Sequence, residues 1–247
     1  MTPTPGHSVI HAAGLSKSFA SYPALSGVDL EISQGESVVI FGPNGAGKTT
    51  LIRVLTLGLR PSCGSFRIAD LDPSRQDIEI RQAIGLISHQ SFLYDDLTAR
   101  QNLRFFADLY AVERPKQRVD EMLEEVGLAH RANDIVRTFS RGMTQRLSLA
   151  RALIHDPQIV FLDEPFAGLD PHAARMLRTT LARLHEDRRT ILLVTHDLAQ
   201  GLDLCDRWII LARGQIRSQG DSSDFSRTDF ESHYFDQVAH RTPRASR

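Results

Sequence analysis

Two hydrophobic periods divide this chain of 247 residues into regions of different character. From 8–41, short apolar runs are separated by turn residues, which is typical of antiparallel strands. Over 91–156, apolar positions recur at helical spacing, as at Leu103, Phe106 and Tyr110. The pattern therefore predicts a β layer at the start of the chain and a helical insertion in its middle.

After the insertion, short apolar runs alternate with one amphipathic segment. Apolar runs at 158–162, 190–195 and 208–211 predict strands, and an apolar face over 171–187 predicts a helix. Strands that alternate with helices favour a parallel sheet with helices on both faces. The predicted fold class is therefore α/β, a mostly parallel doubly wound sheet with an antiparallel β layer and a helical insertion.

The same pattern divides a single expected domain, 1–247, into three parts. We expect a sheet core at about 8–90 and 157–220, and a helical subdomain at about 91–156. The tail, 221–247, mixes Ser, Asp and Arg with aromatic side chains, which predicts a short docked helix with a basic end. No internal repeat is present in the sequence, so we expect one functional site per chain.

Composition and charge exclude several classes of protein. The 29 basic and 30 acidic residues balance, so no overall positive field favours binding to nucleic acid or to an acidic membrane. No apolar stretch approaches the roughly 18 residues of a membrane span, so we expect a chain that is soluble by itself. Cys63 and Cys205 lack the spacing of metal ligands, and we expect buried, reduced thiols.

A glycine-rich segment at 42–50 has the complete pattern of a phosphate-binding loop, G-x-x-x-x-G-K-T. Its glycines permit positive φ angles and turn backbone N–H groups toward a phosphate anion. Lys48 supplies a positive charge for the β- and γ-phosphates of a nucleoside triphosphate, and Thr49 supplies a hydroxyl ligand for Mg²⁺. An apolar strand at 37–41 precedes the loop and a helix follows it, which places the phosphates at a helix N-terminus. The residues expected to bind nucleotide are Gly42, Pro43, Asn44, Gly45, Ala46, Gly47, Lys48, Thr49 and Thr50.

Two carboxylates, Asp163 and Glu164, follow the apolar run at 159–162. Successive side chains of a strand point to opposite faces, so these two groups are expected to have different functions. Asp163 suits the Mg²⁺ shell, and Glu164 is placed to orient and deprotonate the attacking water. A lone Asp-Glu pair after a strand is more often a solvated strand end, and the phosphate-binding loop upstream favours the functional interpretation.

Two further segments complete the set of candidate site residues. In the segment 139–146, a turn of small residues precedes a helical run, which predicts a second anion site at a helix N-terminus. His196 follows the strand 190–195, at the carboxyl edge where sheets of this type bind their ligands. That position alone distinguishes His196 from the other histidines of the chain.

With these motifs in this order, residues 8–220 resemble the ATP-binding subunit of an ABC transporter, which has a P-loop NTPase fold. Gln90 follows the strand 83–87 as the family's Q-loop glutamine does, and Phe19 lies where the family has an aromatic residue that stacks on adenine. The matched motifs are Walker A at 42–49, Walker B at 159–164, the signature at 140–144, the D-loop at 167–170 and the switch histidine His196.

The resemblance implies a magnesium-dependent ATPase and assigns roles to residues. Glu164 is expected to be the catalytic base, with His196 and Gln90 beside the γ-phosphate. Mg²⁺ is expected to be held by Thr49, Gln90 and Asp163. ATP and Mg²⁺ are therefore the expected cofactors. The residues expected to contact ATP outside the Walker A loop are Phe19, Ser140, Gly142 and Asp170.

The signature departs from the family's usual Leu-Ser-Gly-Gly-Gln and reads Phe139-Ser140-Arg141-Gly142-Met143. The serine and the second glycine, which touch the γ-phosphate in the family, are both present, so we expect an active site. In the family, the signature acts on ATP bound to the opposite subunit. Since one chain carries both halves of a complete site, we expect a homodimer that forms on ATP binding, with a heterodimer of related subunits as the alternative.

The helical insertion is where family members contact their membrane subunit. The segment 92–106 follows the Q-loop and is expected to contact a polytopic membrane transporter subunit. Together with 139–153, this segment is most similar to the haem-exporter subunits of cytochrome c biogenesis. Drug, lipid and polysaccharide exporters share much of the same sequence and are the alternative. We expect a cytoplasmic subunit that is peripheral on the inner face of the cell membrane.

ABC ATPases that move no solute are a second class to consider. Translation factors of this kind fuse two ATPase units, whereas this chain has one. Chromosome-type ATPases insert long coiled coils between the Walker motifs, and the insertion between Gln90 and Ser140 shows no sustained heptads. The sequence also shows no basic face for a phosphate backbone, so transport is favoured and a nucleic-acid partner is not expected.

Overall fold

The structure, a computed structural model, describes residues 7–88 and 90–239, apart from the side chain of His172. Its strands are β1 (Ser8–Phe19), β2 (Tyr22–Ser33), β3 (Ser37–Phe41), β4 (Cys63–Ile68), β5 (Ile84–Ile87), β6 (Ile159–Asp163), β7 (Thr190–Thr195), β8 (Arg207–Ala212) and β9 (Gln215–Asp221). Its α-helices are α1 (Lys48–Leu55), α2 (Asp77–Ala83), α3 (Ala99–Leu109), α4 (Pro115–Glu125), α5 (Arg141–Leu153), α6 (Pro171–Glu186), α7 (Leu198–Leu202) and α8 (Arg227–Ala239). Short 3₁₀ turns at Ala129–Arg131 and Val136–Thr138 lie between α4 and α5.

Two sheets organise the described residues and confirm the predicted fold class. One is antiparallel with the order β2-β1-β4, and the other has the order β5-β6-β7-β3-β8-β9. Among the described strands of the second sheet, β8 and β9 pair antiparallel and the other neighbours pair parallel. Because the carboxyl ends of parallel strands meet at one edge, the segments that follow β3, β5, β6 and β7 gather there.

The six-stranded sheet is buried on both faces, which explains why its central strands are continuously apolar. Along β3, Val38 and Ile40 face the core shared with α1 and the antiparallel sheet, whereas Val39 and Phe41 face the core shared with the helical insertion. Full burial of one such side chain contributes about 1.5–3 kcal/mol of transfer free energy. The strand that leads into the phosphate-binding loop is therefore packed against a hydrophobic core on each of its two faces.

Helices α3, α4 and α5 form the helical insertion, where the helical spacing of apolar residues predicts it. Thr98 caps α3 in a capping box with Gln101. Arg118 on α4 donates to the carbonyls of Leu153 and Ile154, at 3.0 and 3.1 Å. This hydrogen bonding ties α4 to the end of α5 and makes the insertion a compact unit between β5 and β6.

The sequence pattern does not predict β4, β9, α2 and α7. Strands β4 and β9 lie at sheet edges with many exposed positions, so neither has a continuous apolar run. The position of β4 also corrects the expectation of a buried Cys63 thiol, since Cys63 begins this edge strand and is exposed. Cys205 is partly buried, and burial beside the carboxylates of Asp206 and Asp203 raises the pKa of its thiol to about 12.

The C-terminal helix α8 packs against the sheet on the side of the helical insertion. The Phe230 ring contacts the rings of Phe41 and Trp208, with centroids 5.2 and 5.1 Å apart. A helix therefore docks where the aromatic residues of the tail predict one, and the predicted basic end at 240–247 lies outside the described residues. Within 7–88 and 90–239, no helix combines the length and the apolar character that a membrane crossing requires.

Candidate active site

The phosphate-binding loop connects the end of β3 to the first residue of α1. Gly45 and Gly47 have φ angles of 78° and 106°, which residues with a side chain rarely adopt. A side chain at Gly42 would collide with the carbonyl of Leu211, because the loop runs against β8. Helix α1 begins at Lys48, and its N-cap glycine has no side chain to bond the first amides. These amides and the helix dipole therefore favour an anion inside the loop.

Lys48 is almost completely buried within this loop. Its ammonium donates to the carbonyls of Gly42 at 2.6 Å and Pro43 at 3.3 Å, and it lies 3.6 Å from Glu164 Oε1. Burial lowers the pKa of Lys48, whereas the carboxylates of Glu164 and Asp163 act in the opposite direction. A cation in this position attracts phosphate groups strongly, because their oxygens form charge-assisted hydrogen bonds with it.

Two oxygen ligands suited to Mg²⁺ meet beside the loop. Thr49 in α1 donates its hydroxyl to Asp163 Oδ1 at 3.0 Å, and Asp163 is buried at the end of β6. A hydroxyl and a carboxylate supply the hard oxygen atoms that Mg²⁺ binds together with substrate phosphates. The residues present therefore fit a Mg²⁺ ion that accompanies a nucleotide.

The carboxylate of Glu164 is held from several directions. Its Oε2 accepts from the Thr195 hydroxyl at 3.1 Å and lies 2.9 Å from His196 Nδ1, both at the end of β7. Its Oε1 faces the Lys48 ammonium. The backbone φ of Glu164 is 50°, so a left-handed turn after β6 sets the direction of this side chain, in place of the strand alternation assumed from the sequence. The two neighbouring carboxylates nevertheless have different partners, and the different functions expected of them stay predictions.

Gln90 follows β5, which pairs with β6 at the edge of the large sheet. Its backbone N–H donates to the Ser88 hydroxyl, which in turn donates to the Gln90 carbonyl, and its side chain is exposed. Within the described part of the chain, no hydrogen bond joins this side chain to Thr49, Asp163 or Glu164. The Q-loop thus follows the carboxyl end of β5, as expected. The catalytic and metal-binding roles of Gln90 stay predictions.

Phe19 ends β1 at the tip of its hairpin with β2. The ring is exposed, and the ammonium of Lys17 lies 5.3 Å from its centroid. Further along the same hairpin, the carbonyl of Ala24 packs against Gly47 of the phosphate-binding loop. One hairpin therefore carries both an exposed aromatic face and a contact with the loop, and stacking of Phe19 on adenine stays a prediction.

The signature and D-loop residues form a separate cluster at the N-termini of α5 and α6. Ser140 caps α5 by accepting from the Met143 N–H, and Asp170 caps α6 by accepting from the Ala173 N–H. The two caps are adjacent, since a Cβ built at Gly142 would lie 2.9 Å from Asp170 Oδ2. Among residues 7–88 and 90–239, no hydrogen bond links this cluster to the phosphate-binding loop. The signature and D-loop caps therefore form a cluster of their own, and its role toward a partner's ATP stays a prediction.

Sequence reasoning missed Thr195 and Tyr234, which lie near the candidate catalytic carboxylate. Thr195 ends an apolar run, and the pattern of that run does not distinguish its hydroxyl as a functional group, although Thr195 directly precedes His196. Burial and the negative charge of Glu164 raise the pKa of the Tyr234 phenol on α8. With Asn44 and His196, Tyr234 lines a groove of about 520 Å³. No local signal in the sequence predicts that α8 packs beside the candidate site. The aromatic residues of the tail predict a docked helix and do not predict the surface on which it docks.

Comparisons with known proteins agree with this geometry. The profile of the family described as ABC transporter matches residues 25–167. The daunorubicin resistance ATP-binding protein DrrA3 of Streptomyces coeruleorubidus is 37% identical over 213 residues, which cover 85% of this chain and 67% of that protein. The fluoroquinolones export ATP-binding protein of Mycobacterium tuberculosis is 39% identical over 215 residues, which cover 85% of this chain and 70% of that protein.

A solved structure of similar fold is a dimeric ATP-binding cassette in a post-hydrolysis state, bound to ADP and Pi. It superposes with a TM-score of 0.80 at 28% identity and covers 87% of this chain and 100% of that chain. ABC ATPase domains bind ATP and function as dimers with membrane transporter subunits. The family match and the assembly of the Walker motifs at one sheet edge show that this chain belongs to the ABC transporter ATP-binding family and is an ATPase.

Proposed function

We propose that this ATPase powers the export of drug-like compounds through a separate membrane subunit. The observation that carries the proposal is the similarity to the resistance and export proteins named above. The relatives compared with this chain include drug-resistance, antibiotic-export and import ATP-binding proteins and no haem exporter, so the expected resemblance to haem exporters is unconfirmed. The drug-exporter alternative therefore takes precedence over haem export.

In the proposed reaction, the oxygen of a water molecule forms a bond to the γ-phosphorus of ATP, and Glu164 accepts a proton of that water. The bond between the γ-phosphorus and the β–γ bridging oxygen breaks, and ADP leaves with that oxygen. Thr195 and His196 hold one carboxylate oxygen, and the other oxygen faces Lys48 beside the phosphate-binding loop. Lys48 and the first amides of α1 stabilise the charge of the phosphates. When bound at Asp163 and the neighbouring threonine hydroxyl, Mg²⁺ supplies further charge neutralisation.

The two half-sites act across a pair of chains. The phosphate-binding loop of one chain faces the Ser140 and Asp170 cluster of its partner, with ATP between them. Two observations support this arrangement: no hydrogen bond joins the two clusters among the described residues, and the similar cassette is dimeric. A homodimer suffices because each chain carries both clusters, and a heterodimer requires a related subunit with equivalent residues.

An exposed aromatic surface on the helical insertion supports a membrane partner. Tyr94 and Phe105 are 49% and 42% exposed, and their rings meet edge to face with centroids 5.1 Å apart. With Phe92, which is also exposed and follows Gln90 closely, they form what we call the docking surface. Buried Asn102 fixes the Tyr94 backbone through hydrogen bonds of 2.8 and 3.0 Å. A preformed apolar surface next to the Q-loop suits a segment of a membrane subunit. This supports the proposal of a chain that works at the cytoplasmic face of the membrane.

Co-purification from detergent extracts of the native host tests for the membrane partner. Combined Tyr94→Glu and Phe105→Glu substitutions are expected to abolish recovery of a polytopic membrane protein, while the isolated subunit still hydrolyses ATP. Ile78→Glu is the matched control, because Ile78 on α2 is 66% exposed and lies outside the docking surface. If the wild-type chain recovers no polytopic membrane protein, the transporter function is wrong.

Susceptibility of the host to drugs distinguishes the classes of exporter. A chromosomal Glu164→Gln substitution is expected to increase susceptibility to daunorubicin and fluoroquinolones and to leave c-type cytochromes at wild-type levels. Growth inhibition measures the first effect, and haem staining of gels measures the second. Loss of c-type cytochromes with unchanged susceptibility contradicts drug export and favours haem export.

A further inference from the structure

The signature carries an arginine, Arg141, where the family usually has glycine. Arg141 is the first residue of α5, and its Nη2 donates to the carbonyl of Ala167 in the D-loop at 3.3 Å. The side chain thus connects the signature to the D-loop of the same chain, a link that a glycine at this position lacks.

The guanidinium of Arg141 also packs directly on the D-loop glycine, Gly168. A Cβ built at Gly168 would lie 2.5 Å from Nη1 and 2.6 Å from Nη2, closer than such atoms approach. The φ of Gly168 is 71°, a conformation that favours glycine, and the guanidinium would have to shift to admit a side chain there. The planar guanidinium therefore covers the bend of the D-loop, which the compact ammonium of a lysine cannot do in the same way.

The D-loop connects the candidate base to the second half-site. The Ala167 N–H donates to the carbonyl of Glu164 at 3.1 Å, and the Leu169 N–H donates to the carbonyl of Phe166 at 3.2 Å. At its far end, Asp170 caps α6 and borders the signature. A shift of this loop therefore affects the Glu164 backbone at one end and the cap of α6 at the other.

We propose that Arg141 is a positioning residue that clamps the D-loop to the signature, so that both segments meet the partner chain's ATP as one rigid unit. The proposal rests on the shared site proposed above. Loss of the clamp slows hydrolysis, because the two segments no longer approach the phosphate in a fixed arrangement. It leaves ATP binding to the phosphate-binding loop of the same chain intact, since among the described residues no hydrogen bond joins Arg141 to that loop.

Amide hydrogen exchange of the nucleotide-free full chain tests the clamp without requiring a dimer. Arg141→Gln is expected to speed exchange of the Ala167 and Leu169 amides by about tenfold, the effect of one lost charge-assisted hydrogen bond. Arg67→Gln is the control, because it removes an exposed arginine of the antiparallel sheet and is expected to leave these amides unchanged. Arg141→Lys keeps the charge and one donor but loses the flat contact on Gly168, so intermediate exchange is expected.

Steady-state kinetics test the consequence for the reaction. We expect kcat of Arg141→Gln to fall about tenfold with KM for ATP within about twofold of wild type, and Arg141→Lys to recover part of the loss.

Unchanged amide exchange overturns the proposal even if kcat falls, since Arg141 then acts directly on the partner's phosphate. Faster exchange with wild-type kcat overturns it as well, because the clamp then has no role in turnover. If wild-type turnover shows no dependence on dimer formation, the shared site is wrong, and the exchange experiment still decides whether the clamp exists.

Discussion

Glu164 is oriented by residues that differ in charge and in hydrogen-bonding capacity. Thr195 donates a hydroxyl hydrogen bond to its Oε2, and the same oxygen lies beside His196 Nδ1. Its Oε1 is within ion-pair distance of Lys48. A carboxylate that is held before the substrate binds needs little reorganisation when it accepts a proton, which is how preorganised groups lower an activation barrier.

Glu164→Gln is expected to lower kcat for ATP hydrolysis by about 10²–10⁴-fold, since the amide keeps the size of the side chain and cannot accept the proton of water. Binding of ATP is expected to persist because Lys48 and the phosphate-binding loop are unchanged. Phosphate release at saturating MgATP measures turnover, and titration of a fluorescent ATP analogue measures affinity. Near-normal turnover in the variant excludes Glu164 as the base.

Lys48→Ala is expected to act on binding, because it leaves the polyphosphate without its buried counter-charge. Loss of a hydrogen bond to a charged group at this site is expected to raise Kd for MgATP by about 100-fold. Titration with the same fluorescent analogue measures the change. Lys116→Ala is the matched control, since Lys116 is an exposed lysine on α4. Wild-type affinity in Lys48→Ala contradicts the assigned role.

Among the structural elements, a partly buried histidine connects the end of α5 to β5 and to the end of α3. The His155 ring stacks on Tyr110 with centroids 3.9 Å apart, and its Nε2 lies 2.9 Å from the carbonyl of Ile84. Its Nδ1 has no hydrogen-bond partner within the described part of the chain. Burial lowers the pKa of His155 to about 4 against the effect of the Ile84 hydrogen bond, and the positive charge of Arg151 acts in the same direction as burial.

This pKa predicts that acid destabilises the junction. In the unfolded chain His155 titrates near 6.5, whereas in the folded chain it stays neutral down to about pH 4. Between these values the unfolded state binds a proton that the folded state does not bind. The contribution of neutral His155 to stability is therefore complete above pH 6.5 and is lost as the pH falls toward 4.

His155→Gln removes this titration and is expected to make the free energy of unfolding less sensitive to pH. Between pH 7.5 and pH 5, the wild-type chain is expected to lose about 2 kcal/mol more than the variant. Urea denaturation at both pH values measures the difference. An equal loss in both chains shows that His155 does not contribute to acid sensitivity.

In the whole molecule, the two half-sites are built from different segments of the chain. The phosphate-binding loop and the Walker B carboxylates lie at one edge of the large sheet, whereas Ser140 and Asp170 lie at the N-termini of α5 and α6. In the proposed function, a second chain brings Ser140 and Asp170 to the nucleotide held by the phosphate-binding loop. Shared catalysis is thus proposed as a property of the assembled dimer, and variants of the second half-site test it.

Ser140→Arg places a long cation at the exposed cap of α5, where the γ-phosphate of the partner's ATP is proposed to dock. Loss of the cap costs about 1 kcal/mol, so the chain is expected to fold. ATP binding to the monomer is expected to be unchanged, whereas turnover and the ATP-dependent dimer of a Glu164→Gln background are expected to be lost. Gel filtration with ATP measures the dimer, and Ser140→Thr, which keeps a capping hydroxyl, is the control. Wild-type turnover in Ser140→Arg contradicts the shared site.

The sequence by itself determined the parts of the molecule whose signals are local. Glycines at fixed offsets before Lys48 predict the phosphate-binding loop, and an apolar run before Asp163 and Glu164 predicts a buried strand with carboxylates at its end. Helical spacing over 91–156 predicts the insertion, and alternating strands and helices predict the parallel sheet. All of these signals depend on residues within a few turns of one another, because steric and hydrophobic periods repeat over short distances.

Tertiary structure alone decided which distant segments meet. Thr195 reaches Glu164 because β6 and β7 are neighbours in the sheet, and Tyr234 comes near the same carboxylate because α8 packs beside that edge. Arg141 contacts Gly168 because the N-termini of α5 and α6 are adjacent. A hydrophobic period specifies which face of an element is buried. It does not specify which other element packs against that face. Strand order and packing select that neighbour, because many alternative pairings bury the same apolar surface.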